Sequence, residues 1–311
     1  MLAKSAIDAI ISKYGKANVV LITSDVSFQL AQLLFEVDDF VKFKLNNSWH
    51  SVFLNVLKII MLRLFFKARF VNLVHSTTRK AREFQRSFKS SILVETECKN
   101  HDHRIVLDPH EQLPLELANH YILLKKLCIN IQVSEIYPTI RRRSISKGII
   151  ICPCGSSTIR DIPKSLLSLV IRLCLDHSDL DITICLAPGQ QDRLKGGISE
   201  NQYLSNRIRL VTNYSFKDFL NELQSARFVI GAETFSSHYS IALGTPTVVF
   251  VGGGHYGRFG PWSITSEQIW LTSFRECFQC DWQCSYLKPY CITEINSDRV
   301  KREICRILKI L

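Results

Sequence analysis

From Phe228 to Trp262 the chain reads FVIGAETFSSHYSIALGTPTVVFVGGGHYGRFGPW. Phe228–Ile230 has the apolar run of a strand, and it opens into a polar turn at Gly231–Thr234. Ser236–Leu243 predicts a helix closed by Gly244, a residue suited to a left-handed cap, and Pro246 leads into a second strand at Thr247–Val251. Strand, helix and strand in this order form a crossover unit, and such units build parallel sheets. Ligands of open parallel sheets lie beyond the carboxyl ends of the strands. Both Gly231–Ser237 and the glycine-rich Gly252–Gly260 fall at such ends.

The same alternation extends outward from this stretch. Upstream it predicts strands at Gly148–Cys152, Asp181–Leu186 and Ile208–Val211, with helices at Lys164–Cys174 and Phe216–Gln224. In the first half it predicts helices at Lys4–Tyr14 and Leu115–Leu127, strands at Val19–Thr23, near Phe70–Val74 and near Ile92–Val94, and an apolar helix within Ser51–Phe70. Ile136–Lys147, with Pro138 and the basic run Arg141-Arg142-Arg143, is polar and unpatterned, as a linker is. The expected fold class is therefore α/β, with two Rossmann-like domains facing a cleft. The boundary is placed in this linker, which gives an N-terminal α/β domain of residues 1–140 and a C-terminal α/β domain of residues 141–311. A doubly wound domain normally begins with a strand at the centre of its sheet, whereas this chain opens on a helix. The first strand of the N-terminal domain is thus expected upstream of Met1.

A chain of 311 residues, 46% of them hydrophobic, can bury two ordinary cores, which excludes a disordered protein. Its formal charge of +11 suits a partner rich in phosphate or carboxylate. The N-terminus has no apolar core followed by a cleavage site, and eleven scattered cysteines point to the reducing cytoplasm. Lys58, Arg63 and Lys67 interrupt Ser51–Phe70 well short of the ~20 apolar residues a membrane span needs. That helix is either buried in its domain or makes an in-plane, peripheral membrane contact through Trp49, Phe53, Phe65 and Phe66. Nucleic acid is not an expected partner, because no basic stretch is interleaved with stacking aromatics.

A helix N-terminus offers unpaired N–H groups and partial positive charge, so the turn before Ser236 suits a phosphate. Thr234, Ser236 or Ser237 could cap it. His238 lies one helical turn after Thr234, where a neutral or protonated imidazole could donate to phosphate oxygens or simply pack. Glu233 could accept from sugar or ribose hydroxyls, or be a solvent-facing loop carboxylate. Gly252, Gly253 and Gly254 would let the backbone approach a ligand, and Arg258 is a forked donor suited to a diphosphate.

The series Gly231-x-Glu233-Thr234-x-x-x-His238, Ala242-Leu243-Gly244-Thr245-Pro246, glycine loop with Arg258, and Gly260-Pro261-Trp262 resembles glycosyltransferase family 9. That is the group of the lipopolysaccharide heptosyltransferases. Cys154-Gly155-Ser156-Ser157 is similar to the family's Pro-Gly-Ala-Ser loop, Arg160 stands where a donor-binding lysine usually appears, and Leu186–Asp192 is similar to the next glycine turn. The acidic position, commonly Asp, is Glu233. The match covers Ile149–Ile295 and is fainter before it.

The resemblance implies the two-domain GT-B arrangement, with residues 1–140 as the acceptor-side domain and residues 141–311 as the nucleotide-sugar-binding domain, and the inverting transfer of a heptose or related sugar. The donor is a nucleotide-diphosphate sugar, the acceptor a lipopolysaccharide or other surface glycan, and no cofactor is required for catalysis. Donor-binding positions are Gly155, Ser156, Arg160, Glu233, Thr234, His238, Gly253, Gly254 and Arg258. The work is cytoplasmic, at the inner face of the membrane. The family's catalytic Asp belongs to a Gly-Asp loop expected before Met1, so no catalytic residue is assigned here. The chain is then a transferase or a non-catalytic nucleotide-sugar-binding remnant lacking that loop.

Cys277, Cys280, Cys284 and Cys291 form a C-x2-C-x3-C-x6-C series that suggests a structural zinc or another metal, or thiols that only pack. The phosphate positions lie elsewhere in the chain, so the cluster is expected to be dispensable for donor binding.

Overall fold

The computed structural model describes residues 1–35, 39–43, 54, 57, 60–61, 70–71, 73, 91–92, 106–108, 111–142, 147–198 and 206–311. The chain divides into two compact units, Leu2–Ile136 and Tyr137–Leu311.

In the first unit, helix α1 (Lys4–Tyr14) leads to strand β1 (Val20–Ser24), helix α2 (Asp25–Leu34) and strand β2 (Asp39–Phe43). Strand β1 pairs with β2 in parallel, as a strand-helix-strand unit requires. Strands β3 (Phe70–Val71) and β4 (Ser91–Ile92) also pair in parallel, while β5 (Val106–Asp108) and β6 (Glu111–Gln112) form an antiparallel pair. Helix α3 (Leu115–Lys126) buries Leu117, Ala118, Leu123 and Leu124.

Residues 54, 57, 60 and 61 are helical, as the apolar run predicts. Leu54, Leu57, Ile60 and Met61 are exposed, however, so burial of the helix in its own domain does not hold at these four positions. Trp49, Phe53, Lys58, Arg63, Phe65, Phe66 and Lys67 lie outside the described residues, as do Val94, Arg143 and the ends of the strands expected beside them. Among the described residues, no helix is long and apolar enough to cross a membrane.

The second unit is built on one parallel sheet. Strand β7 (Lys147–Cys152) is followed by helix α4 (Lys164–His177), β8 (Ile182–Cys185), β9 (Ile208–Val211), helix α5 (Phe216–Ser225) and β10 (Ala226–Ala232). Helix α6 (Phe235–Ala242), β11 (Thr247–Phe250), β12 (Gln268–Leu271), the short helix α7 (Tyr290–Thr293) and helix α8 (Ser297–Leu308) complete it. The spatial order is β12-β11-β10-β7-β8-β9, all neighbours parallel.

A parallel sheet covered on both faces needs strands that are apolar throughout rather than alternating. Ile149-Ile150-Ile151, Phe228-Val229-Ile230 and Val248-Val249-Phe250 meet that need, and all nine are buried. Helix α6 ends as its sequence predicts. Gly244 takes the left-handed φ of 71°, its N–H donates to the Ile241 carbonyl, and the N–H of Thr245 donates to that of Ser240.

Several elements are not visible in the patterns read from sequence alone, among them α2, β2, β5, β6 and α7, and two of the sheet domain show why. Strand β12 is only half covered, and Gln268 and Trp270 give it a polar cast. Helix α8 is dominated by charge, yet it puts Val300, Ile304 and Ile307 on one buried stripe, with the Asn296 side chain accepting from the Arg299 N–H at its start.

Candidate functional site

Starting from β7, the chain winds outward through β8 and β9, then returns to the centre and winds the other way through β10, β11 and β12. The switch falls between β7 and β10, where the crossovers leave in opposite directions and open a crevice at the carboxyl ends. Cys152 at the end of β7 stands opposite Gly231 in β10. Two loops leave this point, one through Gly155 and Ser156, the other through Glu233 and Thr234.

The first loop is held from behind. The Gly155 N–H donates to Asp161 Oδ1 at 2.9 Å, Arg193 pairs with the same carboxylate, and Arg193 and Gln190 both donate to the Gly155 carbonyl. Gly155 is needed for a local reason, because a Cβ there would come within 2.6 Å of the Arg160 Cβ. Arg160 crosses the crevice. Its Nη1 donates to Ser156 Oγ at 3.1 Å, and its Nη2 donates to the Glu233 carbonyl and lies 3.9 Å from Glu233 Oε2.

Glu233 is not a solvent-facing carboxylate, being 2% exposed, and among the described residues neither of its side-chain oxygens has a hydrogen-bond partner. Burial pushes its pKa up to about 8, against the opposing pull of Arg160. The site therefore holds a largely neutral carboxyl group at pH 7, able both to donate and to accept. A buried polar group without a partner is costly, so one placed at a crevice calls for an explanation.

Helix α6 begins beside it. Thr234 occupies the N-cap position, but no side chain caps the helix. The Thr234 hydroxyl pairs with Ser236 Oγ at 2.7 Å, and Ser237 Oγ turns back to donate to the Ala232 carbonyl. The expected caps are thus engaged elsewhere, and the first-turn N–H groups carry no side-chain partner that an anion would have to displace.

His238 is boxed by aromatic rings. Trp262 Nε1 donates to His238 Nδ1 at 2.9 Å, with ring planes 8° apart, and Trp270 lies 5.7 Å away. An indole N–H only donates, so Nδ1 must be a lone-pair acceptor and the proton of the neutral ring sits on Nε2. Burial lowers the pKa to about 3. The protonated imidazole considered from sequence is excluded, leaving Nε2–H as the group able to donate.

The glycine run serves a purpose that its sequence does not reveal. A Cβ on Gly252 or Gly254 would come within 2.5 or 2.4 Å of the Trp282 ring, and one on Gly253 within 2.4 Å of Phe278. These glycines admit aromatic side chains from the cysteine loop. The loop is stitched to them by Gln279 N–H to Gly253 O at 2.7 Å and Asp281 N–H to Gly254 O at 3.1 Å. Trp282 Nε1 donates to His255 Nδ1 at 3.2 Å, and His255 Nε2 meets Asp281 Oδ1 at 3.0 Å.

The His255 pKa is lowered by burial and by Arg258, with Arg160 acting in the same direction, so both guanidinium groups act on one imidazole. The Arg258 guanidinium also lies 4.8 Å from the Phe259 ring centroid.

The four cysteines occupy a common neighbourhood. Burial raises the Cys284 pKa, and Cys280, Cys291 and Cys277 push it the same way, with Cys280 also hydrogen-bonded to it. Among the described residues, no group of three or more His, Cys, Asp or Glu side chains is placed to hold a metal ion. The loop that carries these thiols reaches Arg160 through Trp282, 5.4 Å from ring centroid to guanidinium, so the cluster is not remote from the donor positions as its place in the sequence suggests.

Sequence reasoning brought Gly155, Ser156, Arg160, Glu233 and Thr234 to one crevice, and Gly253, Gly254 and Arg258 to the adjoining loop. It named Trp262 without giving it a partner, and it missed His255, Asp281 and Trp282. The neighbouring signals were present in His255, directly after three glycines, and in a tryptophan inside a thiol-rich turn.

At the level of sequence, no family model matches the chain and no curated protein is found similar to it. Solved structures are similar in fold over nearly its whole length. E. coli ADP-heptose lps heptosyltransferase II matches with a TM-score of 0.66 at 10% identity, over 99% of this chain and 95% of that one. The E. coli heptosyltransferase WaaC, solved with ADP, matches with a TM-score of 0.64 at 11% identity, over 98% and 95%. A glycosyl transferase of family 9 from Veillonella parvula DSM 2008 matches with a TM-score of 0.69 at 10% identity, over 100% and 93%. The resemblance read from the motifs and the likeness of the structures agree on the fold.

Proposed function

We propose that this chain is a glycosyltransferase of the family 9 type, binding a nucleotide-diphosphate sugar on Tyr137–Leu311. A single observation carries the reading: Arg160 spans the β7–β10 switch point beside a buried, unpartnered Glu233 and the uncapped start of helix α6. Arg160 and the helix N-terminus suit a diphosphate, with Arg258 on the adjoining loop. Glu233, with unused hydrogen-bonding capacity, suits a sugar or ribose hydroxyl.

In the transfer step the acceptor oxygen bonds to the sugar carbon, the bond from that carbon to the phosphate oxygen breaks, and the nucleoside diphosphate leaves with the electron pair. Guanidinium groups at that oxygen stabilise the developing charge without a metal. The acceptor proton passes to a base outside the donor site. The N-terminal residues would carry the acceptor, a glycolipid or surface glycan at the cytoplasmic face of the membrane. A heptose is the first sugar to try.

Calorimetric titration with ADP, GDP, UDP and CMP tests the reading. One nucleoside diphosphate should bind in the micromolar range, and Arg160→Ala should weaken it about 10- to 100-fold, the loss of a charge-assisted contact. No binding by any of the four, or an unchanged Arg160→Ala variant, would refute the site. Sugar transfer by a variant that binds no nucleotide would refute it equally.

A further inference from the structure

The cysteine loop concentrates backbone cost at one place. Gln279, Asp281 and Trp282 all take left-handed φ values, 70°, 53° and 64°, a backbone region unfavourable for residues other than glycine. A bulky aromatic residue is a particularly poor occupant of that region. Three successive glycines clear space for the rings of this loop, and two main-chain hydrogen bonds from Gln279 and Asp281 fix it to them. Filling a core would not call for this, since an aromatic ring can be buried from an ordinary backbone. What the arrangement achieves is a defined ring position, with Trp282 over Gly252 and Gly254, its N–H on His255, and its ring 5.4 Å from the Arg160 guanidinium.

Hydrogen bonds to Ser156 Oγ and to the Glu233 main-chain carbonyl hold only the Nη tips of Arg160. Its Nε is buried without a hydrogen-bond partner among the described residues, and the Glu233 carboxyl stands too far away for a short ion pair, so the face of the guanidinium is what the ring can hold. Planar guanidinium groups stack on aromatic faces, which leaves their N–H edges free to bind.

We propose that Trp282 is a positioning residue that holds Arg160 at the switch point through its indole ring. The cysteine loop is then a wall of the donor site rather than a separate module. This rests on the donor-site reading given above for Arg160.

The test is a double-mutant cycle on nucleoside diphosphate binding, joined to a measurement that needs no ligand. Trp282→Leu should lower ADP affinity about three- to tenfold, Trp282→Phe should restore most of it because a ring face remains, and Trp282→Leu should add less than twofold in an Arg160→Ala background. In the ligand-free protein, carbon-13 NMR of the Glu233 carboxyl should show it titrating at higher pH in Trp282→Leu than in Trp282→Phe, because Arg160 no longer faces it. Effects of Trp282→Leu and Arg160→Ala that multiply, or a Glu233 titration that ignores the ring, would overturn the proposal. Should Arg160→Ala leave ADP affinity unchanged, the donor reading fails, and the carboxyl titration still decides whether Trp282 holds Arg160. Should Trp282→Leu not fold, Trp282→Phe against Trp282→Met, which also lacks a ring, gives the same comparison.

Discussion

Arg160 lies 3.9 Å from the Glu233 carboxylate yet donates its hydrogen bond to the main-chain carbonyl of the same residue. The carboxyl group thus has a positive neighbour and no hydrogen-bond partner, and burial prevails, raising its pKa from 4.5 to about 8. In the unfolded chain the group ionises near 4.5, whereas the folded chain holds the proton up to about 8. The folded state therefore binds more protons between these values, and its stability falls as pH rises through that window. Glu233→Gln cannot ionise and should escape this loss. Its melting temperature relative to the unsubstituted protein should climb from about pH 5 to pH 8 and then level off. Parallel curves would mean that Glu233 is ionised at neutral pH.

His238 titrates in the opposite sense. The folded ring resists protonation down to about pH 3, while the unfolded ring takes up a proton near 6.5, so its contribution to stability is complete above pH 6.5 and is lost as pH falls toward 3. Nucleotide affinity between pH 5 and 8 should carry no inflection from this residue, which comparison with His238→Gln would reveal. Trp262→Phe, which removes the indole N–H from Nδ1, should cost about 0.5–1.5 kcal/mol in urea unfolding.

Asp161 acts on the donor site without facing it. Asp161→Ala removes the acceptor of the Gly155 N–H and the partner of Arg193 together. The pair is partly solvated, so a stability loss of about 1–2 kcal/mol is expected. Affinity for the nucleoside diphosphate should fall a few-fold as the Gly155 loop loosens, measured by calorimetry. A loss of stability with full affinity would show that this loop does not shape the site.

The thiols offer a separate check. Cys280→Ser with Cys284→Ser puts two more strongly hydrated groups beneath the loop that presents Trp282, and ADP affinity should fall with the melting temperature. The thiols then act by packing, and treating the purified protein with a chelator should leave both unchanged. Stoichiometric zinc whose removal abolishes binding would contradict this.

The strands of the second unit were legible because burial on both faces writes itself as uninterrupted apolar runs, seen at Ile149–Ile151 and Val248–Phe250. The helix that starts at Phe235 was legible from its Gly244 cap. Strand β12 and helix α8 were not, since one is only half covered and the other hides four buried residues in a charged segment.

The order of strands and helices in the second unit, and with it the crevice that brings Arg160 to Glu233, follows from local pattern, because period, caps and turn residues act over a few positions at a time. The protonation of Glu233 and His238, the true use of the three glycines, and the meeting of Trp282 with Arg160 were decided only by tertiary structure. Desolvation and ring packing depend on what surrounds a side chain in space, and those surroundings come from residues tens to more than a hundred positions away in the chain.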